Sequence, residues 1–484
     1  MELKDLSPQI LWKHFAALNA VPRASKKEER VIAFMLDFGK SLGLETRQDA
    51  IGNVVIKKPA TPGMENRQTV ILQSHLDMVH QKNGDTVFDF DTQGIDMYVD
   101  GEWVKARGTT LGADNGIGVA AIMSVLASTD LVHPALEAMF TIDEETGMTG
   151  AKQLDPANFT GTVLLNLDTE EEDELTIGCA GGIDTNTTGH YQEVPVAAGA
   201  VAFDISIKGL VGGHSGMDIH RGRANANKLM NRLLYKATQS VDLQLAQLDG
   251  GSLRNAIPRE SKALVVVPEK EKAAFEAFFA AYTATVKDEY KAIEANLTLT
   301  IAPAALPAKV MDPAYLKQVL RAIYAAPNGV FRMSPDIANL VEASSNLAKV
   351  TIKDGVFITQ SLQRSSVESS KEDVAFAVGA AFESIGCEVA RSGDYPGWQP
   401  RADAAILQLM LRLYNDHFTH EPHVGACHAG LECGILGGHL GKLDMISFGP
   451  TIRGAHSPDE RVLITSVDKF YGYLLHILRE IPVK

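Results

Sequence analysis

Residues 69–77 read TVILQSHLD, an apolar run that gives way to a histidine and an aspartate two positions apart. Three further runs have the same character: ALEAMFTI (135–142), GTVLLNLD (161–168) and MISF (445–448). Short, continuous apolar runs bounded by polar residues read as strands buried on both faces. Between the first two lies a stretch, 116–128, with apolar residues at helical spacing. Strands alternating with helices predict an α/β domain with a mixed, mostly parallel sheet flanked by helices. Each run ends on side chains that can bind metal: His75 and Asp77, then Glu144 and Glu145, then Asp168, with His456 just beyond MISF. In open α/β sheets the carboxyl ends of the strands form the ligand crevice. Four separate runs therefore bring such groups to one edge of one sheet.

The residue types restrict the chemistry. Two histidines and several carboxylates make a nitrogen–oxygen donor set, suited to zinc, cobalt or manganese. Thiolates are absent from the set, which argues against a closed structural zinc site. A metal-bound imidazole usually donates its second N–H to an acceptor, so Asp77 reads as the orienter of His75. Of Glu144 and Glu145, one can ligate while its neighbour stays free as a general base. Asp114 lies in GTTLGADNGIG, a turn that opens a helix. There it can be an N-cap, part of a glycine-rich phosphate loop, or a carboxylate bridging two ions. Gly112, Gly116 and Gly118 lack the GxGxxG spacing, which disfavours the phosphate loop. Locally, His456 in GPTIRGAHSPDE could equally be a plain loop histidine. The acids 170–174 that follow Asp168 read as a solvated face.

Outside these runs the chain changes character. Ser7 and Pro8 read as the start of a helix, and Ser25 with Glu28 as a capping box before VIAFMLDFGKSLG, with Gly43 ending that helix. VAFDISIKGL (201–210) alternates like a half-exposed strand, NANKLMNRLLYKA (225–237) and the stretch 273–293 read as helices, and KVTIKDGVFITQSLQR (349–364) reads as a hairpin about Asp354-Gly355. These elements suit an inserted α+β domain. The expected organisation is a catalytic domain of 1–184 and 395–484, interrupted by 185–394.

The 484 residues exceed what one ordinary core accommodates. The composition is that of a globular protein, 45% apolar and 22% charged. Sixty acidic against 45 basic residues give a net charge of −15, which disfavours nucleic acid and anionic lipid as partners. The four cysteines show no CxxC spacing and read as free thiols of a reducing compartment. The first residues lack the apolar core of a signal peptide, and no run approaches a membrane span, so a cytoplasmic location is expected.

In order, SHLDMV, GADNGIG, DEETG, NLDTEE and GAHSPDE resemble the motifs of the co-catalytic zinc metallopeptidases of the aminoacylase and carboxypeptidase type. The likeness is greatest to the aminoacyl-histidine dipeptidase branch of that family. It runs nearly end to end through VKARGTTLGADNGIG, GCAGGID, GGHSG, RNAIPRE, YPGWQP and HAGLECG. The resemblance implies two divalent ions, zinc with cobalt or manganese as alternatives. It implies that His75 and Asp168 hold one, Glu145 and His456 the other, with Asp114 bridging. It makes Asp77 the orienter, Glu144 the general base, and the Asp114–Asn115 peptide cis. It makes the inserted domain a lid, in which His214 stabilises the oxyanion while Asn255, Arg364 and Gly430 hold the end of the substrate. The implied activity is hydrolysis of unblocked dipeptides, Xaa-His preferred and carnosine included, by a homodimer. A related aminoacylase or tripeptidase would use the same metal residues. A non-catalytic metal- or peptide-binding protein would lack a ligand or the base, and none is missing.

Overall fold

The computed structural model describes residues 2–484, and the chain divides into two compact units. The first holds the described residues up to Gly178 together with Trp398–Ala426 and Leu431–Lys484; the second holds Cys179–Gly397 and Cys427–Gly430. The second unit is thus an insertion, but its limits differ from 185 and 394. The strand Gly181–His190 pairs along its whole length with Val356–Ser365, so a cut after 184 would split one ladder. The strand Glu388–Tyr395 likewise runs past 394.

The first unit is built on an eight-stranded mixed sheet. Its centre consists of Leu136–Thr141, Val70–His75, Val163–Asn166 and Asp444–Ser447, adjacent and parallel. These are the four apolar runs, and nearly every residue in them is buried. Antiparallel strands flank this core, Val54–Lys58 on one side and Glu174–Cys179 on the other. The helix Ala113–Ala127, whose first turn is a non-helical loop at Asp114 and Asn115, is buried along almost all its length, as its lack of a polar face requires. A smaller four-stranded sheet pairs Ile452–Arg453 with Arg461–Leu463, and the loop between them carries His456.

The second unit is a nine-stranded sheet whose strand pairs are all antiparallel. Four helices, Ala226–Ala237, Lys272–Tyr290, Pro313–Ala325 and Glu368–Glu383, contribute to the apolar core that packs against it. The hairpin turns at Asp354-Gly355, both with positive φ (51° and 78°), the geometry of a two-residue type I′ turn. Gly43 ends its helix with φ of 69°.

The other helix starts differ from expectation. Pro8 is the cap position of Gln9–Asn19, and the Ser7 hydroxyl donates to Asp468 instead, at 2.8 Å. The next helix starts at Glu29 with no side-chain cap, so no capping box forms. Ser25 and Glu28 have other partners, described next.

Candidate metal centre

The strand Val70–His75 ends on His75, and the turn after it supplies Asp77; both side chains are buried. The His75 Nδ1 lies 3.1 Å from the Asp77 backbone carbonyl and 3.4 Å from the carboxylate, which turns Nε2 outward. Nε2 meets Asp114 Oδ1 at 3.1 Å and Asp168 Oδ1 at 3.5 Å. The other oxygen of Asp114 faces His456 Nε2 at 3.2 Å, and the same nitrogen lies 2.9 Å from Glu145 Oε2. Asp114 thus stands between two clusters, one with His75 and Asp168 and one with Glu145 and His456. In each, one donor atom per residue lies within 4.8 Å of the others. Glu144 joins His75 and Glu145 in a third such grouping. Asp168 lies two residues beyond the strand Val163–Asn166 rather than within it.

Asp77 does more than orient an imidazole. Its Oδ1 accepts the Glu144 N–H at 3.0 Å, and its Oδ2 accepts the Glu145 N–H at 3.3 Å and the Ser25 hydroxyl at 2.8 Å. One carboxylate therefore ties the His75 turn to the Glu144–Gly147 helical turn. That turn begins after Asp143, whose φ of 53° lies in the left-handed region. The Asp143 carboxylate accepts the hydroxyls of Thr146 and Thr149, and its N–H donates to Glu28 Oε1 at 3.1 Å. Ser25 and Glu28, read from sequence as a helix cap, are thus spent on fixing the two glutamates. The Asp114–Asn115 peptide is cis, and His456 has φ of 63°.

The electrostatics call for a cation. Burial opposes a charge on His75, yet Asp168, with hydrogen bonds to Asp114 and Asp77, holds its pKa well above the usual histidine value. Hydrogen bonds to Asp114 and Glu145 raise that of His456 to about 11. Burial pushes the Glu144 carboxyl well up, and that of Asp168 up to about 7. Glu145 Oε1 is buried with no hydrogen-bond partner, and Asp168 Oδ1 has only the 3.5 Å contact with His75. Buried charges need compensation, and here four carboxylates crowd two imidazoles. A hard or borderline divalent ion fits this set. Glu170 is a correction to the solvated-face reading: it is half-buried, and burial with Asp114 nearby raises its carboxyl to about 7.

In the second unit, His214, Asn255, Arg364 and Gly430 converge through shared partners. The Ser215 N–H donates to the Asn255 carbonyl at 2.8 Å, and its hydroxyl accepts from Arg364 Nε at 3.3 Å. Arg364 Nη1 donates to the Tyr395 hydroxyl at 2.8 Å, and a side chain at Gly430 would meet the Tyr395 ring at 3.0 Å. The Asn255 side chain is exposed. His214 Nδ1 accepts the N–H groups of Gly216 and Met217, at 3.2 and 3.0 Å, so the proton sits on Nε2. That N–H faces Arg364 Nη2 at 3.5 Å. Two donors side by side, one of them on a buried arginine, could together bind an anionic oxygen. Burial, then Arg364, lowers the pKa of His214, keeping its ring neutral.

Sequence reasoning passed over Ser25, Glu28, Tyr395, Arg23 and Glu460. Tyr395 and Glu460 lie inside the motifs YPGWQP and GAHSPDE, but nothing local sets either apart from its neighbours.

Residues 205–294 match the peptidase dimerisation domain family. The cytosol non-specific dipeptidase of Escherichia coli is 43% identical over 488 aligned positions, covering 100% of both chains. The crystal structure of aminoacylhistidine dipeptidase from Vibrio alginolyticus superposes with a TM-score of 0.95 at 43% identity, covering 100% of this chain and 99% of that one. An aminopeptidase PepT from Bacillus cereus, at 15% identity with 98% and 99% covered, shares the fold with a TM-score of 0.57.

Proposed function

This chain belongs to the family of the cytosol non-specific dipeptidase and aminoacylhistidine dipeptidase, hydrolases acting on peptide bonds, and on that premise we propose that it cleaves unblocked dipeptides, Xaa-His and β-alanyl-histidine among them, using two divalent ions. His75 and Asp168 would hold one ion and Glu145 and His456 the other, with Asp114 as the carboxylate shared between them. The supporting observation is the pair of Asp114 oxygens facing His75 and His456 separately, with a further carboxylate, Asp168 or Glu145, beside each. Zinc is the ion this donor set favours, with cobalt or manganese able to replace it.

Divalent metal, when bound, supplies Lewis acidity that lowers the pKa of a water and polarises the scissile carbonyl. Glu144 takes the proton from that water as the new C–O bond forms, and returns it to the leaving amine as the C–N bond breaks. Asp77 keeps Glu144 and Glu145 in place through their N–H groups and fixes the face that His75 presents. His214 donates its Nε2–H to the developing oxyanion. Arg364 binds the terminal carboxylate with the planar fork that lysine lacks, helped by Asn255 and the Gly430 backbone. A homodimer in the cytoplasm is supported by the dimerisation-domain match and by the name of the cytosolic relative, and no helix among the described residues is long and apolar enough to cross a membrane.

The test is a substrate panel run on enzyme stripped by a chelator and reloaded with zinc, cobalt or manganese. The panel holds carnosine, a second Xaa-His, a dipeptide without histidine, a tripeptide and an N-acetyl amino acid. Stripping is expected to abolish dipeptide cleavage and reloading to restore it. Cleavage of the N-acetyl amino acid alone overturns the dipeptidase reading. The substitution Glu144→Ala is expected to reduce kcat by about 10²–10⁴-fold with metal retained; full activity removes Glu144 as the base.

A further inference from the structure

The loop that presents Asp114 is gripped by two buried, oppositely charged side chains. Four consecutive N–H groups, those of Leu111, Gly112, Ala113 and Asp114, converge on the Glu460 carboxylate at 2.6, 2.8, 2.7 and 3.2 Å. Glu460 is 2% exposed, and it reaches this loop across 346 to 349 residues of sequence. Successive backbone N–H groups make a concave anion cradle; here the anion is a side chain of the same protein. On the carbonyl side, Arg23 (also 2% exposed) donates through Nη2 to the Gly112 carbonyl at 2.5 Å and to Asn19 at 3.0 Å. Its Nη1 reaches the carbonyls of Leu76 and Asp77 at 3.0 and 3.1 Å. Gly112 has φ of 69°, and a Cβ there would run into the Arg23 guanidinium and the Met78 side chain.

The connectivity of these bonds is specific. Arg23 joins the Asp114 loop to the turn that carries His75. Glu460 joins the same loop to the one that carries His456, four residues earlier in the chain. Each buried charge thus spans one pair of elements whose side chains face one oxygen of Asp114. The geometry points to Arg23 and Glu460 as positioning residues that set the two halves of the metal centre independently: Arg23 the His75–Asp114 spacing, and Glu460 the Asp114–His456 spacing. This rests on the two-ion reading given above. A helix cap alone, the purely structural alternative, would lower stability and leave the metal properties of the folded protein unchanged.

The two roles separate in a cobalt titration of the full-length protein, stripped with chelator and followed by calorimetry and by the visible d–d bands of Co²⁺. The substitution Glu460→Gln keeps an acceptor for two of the four N–H groups and sets an NH₂ against the others. It is expected to weaken one of two Co²⁺ binding events by about 10–100-fold, the range for outer-shell partners. Arg23→Lys, whose single ammonium cannot span three carbonyls, is expected to weaken the other event and perturb a different part of the spectrum. Glu460→Asp keeps the charge at a shorter reach, and is expected to be intermediate; it also serves where Glu460→Gln fails to fold. Wild-type Co²⁺ affinities and bands in folded Glu460→Gln and Arg23→Lys, or identical changes in both, overturn the inference. His75→Gln and His456→Gln test the premise separately: if neither weakens Co²⁺ binding, the two-ion reading itself fails, whatever the clamp variants do.

Discussion

Replacing Ser25 by alanine tests how much its hydroxyl contributes by holding the Asp77 carboxylate. The side chain is buried, and its hydroxyl lies 2.8 Å from Asp77 Oδ2 and 3.4 Å from the Met78 carbonyl. Only the shorter contact has the geometry of a strong bond, and it is charge-assisted, worth about 1.5–3 kcal/mol. Without it, Asp77 Oδ2 keeps only the Glu145 N–H, at 3.3 Å. The loss therefore falls on the carboxylate from which the Glu144–Gly147 turn hangs. The expected stability loss is about 1.5–3 kcal/mol, read as a shift in the denaturant midpoint at constant slope. If about half of that is also lost from the transition state, kcat/KM falls by roughly 3- to 13-fold under saturating metal. Ser25→Thr, which keeps the hydroxyl, should restore most of both. A plain cap would lose about 1 kcal/mol and leave kcat/KM unchanged. The reasoning is refuted by a stability loss with undiminished kcat/KM, or by no change in either.

Glu28 gives a contrast within one residue. Its Oε1 accepts both the Lys26 N–H at 2.8 Å and the Asp143 N–H at 3.1 Å. One amide oxygen can do the same, so Glu28→Gln should leave the denaturant midpoint nearly unchanged, whereas Glu28→Ala strands the buried Asp143 N–H and should cost about 1–3 kcal/mol. His428 predicts an acid sensitivity. Its Nε2 lies 2.8 Å from the Ser344 hydroxyl, Nδ1 is buried without a partner, and burial followed by Arg364 lowers its pKa to about 3. The folded protein holds this ring neutral, while the unfolded chain takes a proton below about 6.5. Stability from this group is therefore complete above that pH and declines by up to about 1.4 kcal/mol per pH unit down to about 3. Denaturant midpoints at pH 7 and 5 should differ less in His428→Gln than in the parent; an equal difference would exclude His428 as a source of the acid sensitivity.

The local signals in the sequence were those that depend on neighbours along the chain. Burial on both faces leaves a strand with no polar positions, so TVILQ and its three counterparts announced a parallel sheet core, and the residues at their ends followed from strand direction alone. The Asp354-Gly355 turn and the Gly43 helix end were legible because positive φ restricts residue choice. Asp114 and His456 sat in loops where the same residue types serve as caps or surface groups, and their place came from the ordered motif set.

What the tertiary structure alone decided is which partner each polar side chain takes. Ser25 and Glu28 satisfy the pattern of a capping box, but a buried carboxylate and an orphan N–H elsewhere in the chain compete for the same hydroxyl and acid, and they win. The direction of Asp77 toward two backbone N–H groups, the fixed tautomer of His214, and the pairing of Arg23 and Glu460 with opposite sides of one loop have no sequence period. They arise because a buried charge must find donors or acceptors wherever folding brings them. Most of those contacts join segments from about fifty to several hundred residues apart, and so the sequence named candidate metal ligands while the fold determined which partners hold each of them.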